Sequence, residues 1–95
     1  MKKFDVICGL CVLESEELAI AVATELKEKL SDYKNEINFY FKGSFDKANR
    51  SSIDSFRGPG LKKGLSILSR VKKELEVPVL TDYHLPEQAD EVASV

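Results

Sequence analysis

The chain has 95 residues, of which 43% are hydrophobic and 32% charged, a composition typical of a globular protein and not of a disordered one. Its net charge of −2 argues against nucleic-acid binding, and no apolar run approaches the roughly 18 residues that a membrane-spanning helix requires. The N-terminal residues carry no secretory signal, which predicts a cytoplasmic protein whose two cysteines, Cys8 and Cys11, are reduced thiols.

The first half of the chain is predicted to form a strand, a helix and a second strand. Phe4–Cys8 has the composition of a strand. A helix is predicted to follow Ser15, a favourable N-cap residue, with Glu16 and Glu17 in its first turn. The large apolar residues of this helix recur every fourth position and predict one buried stripe. They are Leu18, Val22, Leu26 and Leu30. Ile37–Phe41 is predicted to be a buried strand.

The second half is predicted to repeat the pattern. A turn at Gly58-Pro59-Gly60 precedes a helix whose apolar residues again have helical spacing. They are Leu61, Leu65, Leu68, Val71 and Leu75. The third strand is predicted at Val77–Thr81, with Pro78 near its start, where a missing N–H is tolerated. A third helix is predicted to begin near Pro86, a residue suited to the first helical position.

This alternation of strands and helices predicts an α/β fold with a parallel sheet. Three parallel strands would leave a face uncovered and the edges unpaired, which favours a larger domain. A (β/α)8 barrel needs roughly 250 residues, so residues 1–95 are predicted to supply about the first three of its eight units, as the N-terminal part of one catalytic domain. The alternative is a self-contained small α/β domain.

Basic and polar residues follow the predicted second strand. Between positions 42 and 63 there are six basic residues and two acidic ones. The basic residues are Lys42, Lys47, Arg50, Arg57, Lys62 and Lys63, and the acidic ones are Asp46 and Asp54. Ligands of parallel α/β proteins bind at the carboxyl ends of the strands. Local positive charge on a mildly acidic chain therefore predicts a site for small phosphorylated or carboxylated metabolites.

Arg50 can be interpreted in two ways. Together with Ser51 and Ser52 it offers a planar donor fork and two hydroxyls, which suit phosphate oxygens. Alternatively, Arg50 stabilises its own loop by pairing with Asp46 or Asp54.

The ends of the other two strands also carry reactive side chains. Cys11 and Glu14 follow the first strand, and Asp82 and His84 follow the third. Asp82 and His84 are two positions apart, so an extended backbone would place them on one face. They could bind a metal, transfer a proton or orient a hydroxyl, or they could form a purely structural pair.

The two cysteines form a C-x-x-C pattern that invites a redox interpretation. Cys8 lies inside the predicted strand, however, where a small buried hydrophobic role is expected. Cys11, after the strand, is a candidate thiolate ligand for a divalent metal whose other ligands come from elsewhere.

Three motifs resemble those of one enzyme family. The segment from Lys42 to Gly60, KGSFDKANRSSIDSFRGPG, resembles the signature of the 3-deoxy-D-manno-octulosonate 8-phosphate synthases, also called 2-dehydro-3-deoxyphosphooctonate aldolases. Residues 9–15, GLCVLES, are similar to the family's first-strand motif G-P-C-x-I-E-S. Residues 81–86, TDYHLP, are similar to its third-strand motif T-D-V-H-E. The resemblance covers essentially the whole chain and implies the N-terminal part of a (β/α)8 barrel.

The resemblance also implies an activity and roles for individual residues. The family condenses phosphoenolpyruvate with D-arabinose 5-phosphate and water, giving the octulosonate 8-phosphate and phosphate for lipopolysaccharide biosynthesis. Lys42 and Lys47 would neutralise phosphoenolpyruvate, and Asp82 would lie near the reacting carbons. Cys11 would bind a divalent metal together with a histidine, a glutamate and an aspartate on later strands. The implied substrate-binding residues also include Ser44, Asn49, Arg50 and Ser51, of which the last three would hold the arabinose 5-phosphate. A homo-oligomer, specifically a tetramer, is implied as well.

The chain departs from the family pattern at three positions. Leu10 replaces a proline, Asp54 a common histidine and Leu85 a frequent glutamate. The nearest alternative is a 3-deoxy-7-phosphoheptulonate synthase-like enzyme that uses erythrose 4-phosphate. Alternatives of another class are a non-catalytic fragment and a thiol redox module.

Overall fold

The computed structural model describes residues 2–47 and 57–95. In chain order they form β1 (Phe4–Leu10), α1 (Glu16–Leu30), β2 (Ile37–Gly43), α2 (Leu61–Leu75), β3 (Val79–Leu80) and α3 (Ala89–Ala93), with short 3-10 helices at Ser31–Tyr33 and Pro86–Gln88. The predicted alternation of strands and helices is confirmed. Within these two ranges, no helix has both the length and the apolar character needed to cross a membrane.

The three strands form one parallel sheet in the order β1-β2-β3. Lys42 of β2 lies beside Gly9 of β1 and Leu80 of β3. The carboxyl ends of the strands therefore share one edge of the sheet, as the sequence predicts. A Cβ atom at Gly9 would lie 2.0 Å from the Lys42 carbonyl oxygen, so the close approach of β1 to β2 depends on glycine.

Both long helices contribute to one core on one face of the sheet. Phe41, in the middle of the sheet, is fully buried by side chains of α1 and α2. The buried cluster comprises Leu13, Ala19, Ala23, Phe41, Ile67, Leu68, Val71 and Val77. The described residues leave the opposite face open, where Ile7 is 55% exposed. The sheet is thus covered from one side only by the part of the chain that the structure describes.

The start of α1 is confirmed, but its predicted buried stripe is partly wrong. The Ser15 side chain caps the helix by accepting a 3.1 Å hydrogen bond from the Leu18 N–H. Ala19 and Ala23 are the buried residues of α1, whereas Leu18 is 37% exposed. A step of four residues turns about 40° beyond one helical turn, so a stripe with this spacing drifts around the helix. The alanines face the sheet and let the helix approach it closely.

The predicted strands differ from the observed ones in their bounds, and β1 continues to Leu10, two residues beyond the prediction. β2 continues through Lys42 to Gly43, two residues beyond the prediction, and of Ile37–Phe41 only Phe41 is fully buried. Tyr40 lies on the open face, whereas Ile37 and Phe39 share the face of Phe41 but are only partly buried. β3 is shorter than predicted, although the Pro78 carbonyl still accepts a 3.0 Å hydrogen bond from the Phe41 N–H.

Candidate functional site

The loops that follow the three strands lie together at the carboxyl edge of the sheet. The Leu13 N–H, in the loop after β1, donates a 2.9 Å hydrogen bond to the carbonyl of Ser44, directly after β2. Leu13 is fully buried and lies so close to Gly43 that a Cβ atom there would approach its side chain to 2.4 Å. Tight packing therefore joins the first two loops.

Lys42 lies on the open face of the sheet. Its neighbours Phe41 and Gly43 are buried on the helix-covered face, and successive strand residues alternate between faces. The Lys42 side chain is half-buried next to the paired backbone of Gly9 and Leu80. The Lys42 side chain therefore points away from the two long helices.

Ser44 and Asp82 meet where the loops after β2 and β3 adjoin. Ser44 is completely buried, although its hydroxyl is polar. Among residues 2–47 and 57–95, the Ser44 Oγ and the Asp82 Oδ1 atoms are buried without a hydrogen-bond partner of regular geometry. Buried polar atoms of this kind need an explanation, and a bound polar ligand is one.

The environment of Asp82 favours its charged form. Partial burial by itself raises the pKa of the carboxyl group, yet the net pKa is lowered below its ordinary value. The lowering comes from the adjacent Ser44 hydroxyl, the residue's own backbone N–H and the positive charges of Lys47 and His84. Asp82 and Lys47, both predicted as catalytic residues, are therefore close enough to interact electrostatically.

His84 connects the loop after β3 to the loop after β2. Its Nε2 atom lies 2.6 Å from the Asp46 carbonyl oxygen, so the imidazole must carry a hydrogen there and donate it. The ring also packs edge-on against Phe45, with centroids 6.0 Å apart. The distance from Nε2 to the Asp82 carboxylate is 3.8 Å, longer than a hydrogen bond. The predicted structural pair of Asp82 and His84 is therefore not hydrogen-bonded, and the close contacts of His84 are instead with Asp46 and Phe45.

Asp46 and Arg57 form an ion pair that was not predicted from the sequence. The Nε and Nη2 atoms of Arg57 each donate a 2.9 Å hydrogen bond to a different oxygen of the Asp46 carboxylate. The sequence suggested Arg50 as a partner of Asp46, and Arg57 was counted only as one basic residue among six. The glycines that follow Arg57 were the feature of the sequence that could have indicated close packing at this point. A Cβ atom at Gly58, whose φ is 127°, would lie 2.3 Å from the Phe45 carbonyl oxygen.

The cysteines occupy different environments. Cys8 is half-buried in β1, and its burial raises the pKa of the thiol, which disfavours the thiolate needed for redox exchange. This agrees with its predicted role as a small hydrophobic residue. Cys11 is exposed just after β1. Within the described ranges, no group of three or more histidine, cysteine, aspartate or glutamate side chains could hold a metal. Cys11 can therefore supply only one donor of such a site.

Three of the predicted substrate-binding residues, Asn49, Arg50 and Ser51, lie outside the described residues. The described members of the predicted site are Cys11, Lys42, Ser44, Lys47 and Asp82. Ser44 adjoins Asp82, and Lys47 lies near enough for its charge to act on the Asp82 carboxyl group. The observed contacts do not join Lys42 or Cys11 to that group.

Known proteins resemble this chain over nearly its whole length. It is 56% identical over 94 residues to a 2-dehydro-3-deoxyphosphooctonate aldolase of Legionella pneumophila (strain Corby), covering 99% of this chain and 34% of the relative. A protein of the same name from Campylobacter jejuni subsp. doylei is 54% identical over 95 residues, covering 100% and 35%. A third, from Desulfatibacillum aliphaticivorans, is 51% identical over 89 residues, covering 94% and 32%. The chain spans about a third of the length of these curated relatives.

The family comparison agrees with these relatives and with the motifs in the sequence. The model of the DAHP synthetase I family matches residues 2–95, which is nearly the entire chain. The chain belongs to the DAHP synthetase I family.

Proposed function

We propose that the protein containing this chain is a 3-deoxy-8-phosphooctulonate synthase. It would condense phosphoenolpyruvate with D-arabinose 5-phosphate and water, releasing inorganic phosphate. The name shared by relatives 51–56% identical to the chain supports this activity. The structural observation that carries the proposal is the grouping of Lys47, Ser44 and Asp82 at the carboxyl edge of a parallel sheet.

The reaction brings together two anions that repel each other. Fixed cations must offset this repulsion before the C3 atom of phosphoenolpyruvate can attack the aldehyde carbon. We assign this role to Lys42 and Lys47. Both lysines are half-buried at or just beyond the end of β2, where burial strengthens their attraction for an anion.

Asp82 is proposed to act near the reacting carbons. As the new carbon–carbon bond forms, negative charge develops on the aldehyde oxygen and positive character develops at C2 of phosphoenolpyruvate. A carboxylate kept charged by its surroundings can stabilise that positive character and orient the water that adds to C2. The lowered pKa of Asp82 supports this role, because the carboxylate remains ionised at neutral pH.

The arabinose 5-phosphate is assigned to residues of the same loop. Asn49, Arg50 and Ser51 are proposed to bind this substrate on the strength of the motif resemblance, with Arg50 and Ser51 on its phosphate. Ser44 is the described member of the set, and its buried hydroxyl, which adjoins Asp82, is suited to a substrate oxygen.

A divalent metal is proposed with Cys11 as one ligand. The exposed thiol at the carboxyl edge has the donor chemistry for such a metal, and the remaining ligands would come from strands beyond this chain. When bound, the metal would polarise the aldehyde or position the water.

A (β/α)8 barrel is the proposed architecture of the whole protein. The parallel order β1-β2-β3, with both long helices on one face, is compatible with three consecutive barrel units. The open face carrying Lys42 would then line the barrel interior. The cytoplasmic location and the tetramer remain predictions.

The aldose substrate distinguishes this proposal from the heptulosonate alternative. The family's name is that of the DAHP enzyme, whereas the three relatives carry the octulosonate name. Phosphate release by the full-length protein should be measured with phosphoenolpyruvate and either aldose phosphate. We expect kcat/KM to be higher with D-arabinose 5-phosphate. Faster turnover with erythrose 4-phosphate would contradict the proposal and favour the alternative.

A further inference from the structure

The backbone from Phe45 to Lys47 is held by several contacts with distant residues. The Phe45 carbonyl accepts a 3.0 Å hydrogen bond from the Gly60 N–H, and the Lys47 N–H donates to the Arg57 carbonyl. Between them, the Asp46 backbone carbonyl accepts a hydrogen bond from the His84 ring. The Asp46 carboxylate accepts hydrogen bonds from the Nε and Nη2 atoms of Arg57. Three consecutive residues are thus each fixed by at least one contact with distant parts of the chain.

The Arg57–Asp46 pair has the geometry of a strong ion pair. Its two parallel 2.9 Å hydrogen bonds match the planar guanidinium to the carboxylate, and such bidentate pairs fix orientation as well as distance. The Asp46 side chain is 27% exposed and that of Arg57 is 59% exposed. A single exposed ion pair contributes little to stability. A bidentate pair that belongs to a network can contribute more.

We infer that Arg57, through Asp46, is a positioning residue that sets the location of Lys47. Arg57 does not contact the substrate in this proposal. Its guanidinium fixes the Asp46 side chain, and its backbone carbonyl accepts from the Lys47 N–H. The Lys47 ammonium is thereby held where its charge acts on Asp82 and on an anion bound at the site. The inference rests on the proposed function only in naming phosphoenolpyruvate as that anion.

The test is phosphoenolpyruvate binding by the full-length protein, measured by calorimetry. Arg57→Gln removes the charge and the bidentate fork, and we expect it to raise the Kd about fivefold. Arg70→Gln is the matched control. Arg70 also pairs with carboxylates, at 3.1 Å from Glu16 and 3.0 Å from Glu74. Replacing Arg70 should leave the Kd for phosphoenolpyruvate unchanged.

A double variant separates positioning from a general structural effect. In a Lys47→Ala background, Arg57→Gln should cause no further loss of affinity, because the residue it positions is gone. Full additivity of the two losses would overturn the inference, as would wild-type affinity in Arg57→Gln. Should Arg57→Gln fail to fold, Asp46→Asn breaks the same pair and is judged by the same outcomes.

A second readout does not depend on the substrate. The Lys47 charge helps to lower the pKa of Asp82. Displacing Lys47 should therefore raise that pKa in Arg57→Gln, measured by NMR titration of 13C-labelled aspartate. If the wild-type protein does not bind phosphoenolpyruvate, the proposed function fails and this titration alone decides the inference. An unchanged Asp82 pKa would then overturn it.

Discussion

At the scale of single residues, the most informative side chain is Asp82. Its carboxylate is partly buried, which is unfavourable for a charge, yet its surroundings more than offset that cost. Besides its own backbone N–H and His84, the compensation comes from two residues of a different strand-end loop, Ser44 and Lys47. The charge of Asp82 therefore depends on the docking of the loop after β2 against the loop after β3.

This lowered pKa predicts a pH-dependent contribution to stability. The folded protein holds Asp82 ionised at pH values where the unfolded chain, with a pKa of about 3.9, binds a proton. The contribution is therefore complete above that value and is lost as the pH falls through the lower pKa of the folded state. Asp82→Asn should reduce the free energy of unfolding near pH 6, and its difference from wild type should shrink towards pH 3.

Urea unfolding of the full-length protein at several pH values checks this expectation. Asp90→Asn is a suitable control, because Asp90 is exposed in α3, where a carboxylate is expected to contribute little to stability. A difference between Asp82→Asn and wild type that stays constant from pH 6 to pH 3 would contradict the argument.

At the scale of secondary structure, the end of α2 holds a strained residue. Glu76 follows the helix with a φ of 54° and a ψ of 45°, the left-handed conformation usually occupied by glycine. An L-residue there costs about 1 kcal/mol relative to glycine. The left-handed conformation turns the chain so that Val77 can enter the core.

Replacing Glu76 with glycine should therefore stabilise the protein. We expect Glu76→Gly to increase the free energy of unfolding by about 1 kcal/mol. Lys73→Gly, an exposed position inside α2, should instead decrease it by about 1 kcal/mol. Chemical denaturation of both variants measures the two effects. Destabilisation by both substitutions would show that backbone strain at Glu76 is not the controlling factor.

The elements differ in how well the sequence predicts them. The cap at Ser15 and the apolar residues of α2 depend on local signals, and both predictions are confirmed. The buried face of α1 was mispredicted because the prediction considered only its large apolar residues. The residues that are fully buried are the small Ala19 and Ala23. The Arg57–Asp46 pair joins residues that are 11 positions apart. Pairings of this kind follow from tertiary structure and leave no periodic signal in the sequence.

At the scale of the whole molecule, the proposed metal requires ligands from more than this chain. We expect chelator treatment of the full-length protein to abolish condensation and divalent metal to restore it. Cys11→Ser should also lower the bound metal, measured by elemental analysis, whereas Cys8→Ser should leave it unchanged because Cys8 lies within β1. Full activity in metal-free protein, or normal metal content in Cys11→Ser, would contradict the proposal.

The hydrogen bond from Leu13 to the Ser44 carbonyl has a mechanical consequence for this architecture. Leu13 is anchored beneath Gly43 and follows Cys11 by only two residues. The segment that carries Cys11 and the segment that carries Lys42 are therefore both attached to Leu13. Because both the hydrogen bond and the packing of Leu13 link these segments, a displacement of one is expected to be transmitted to the other.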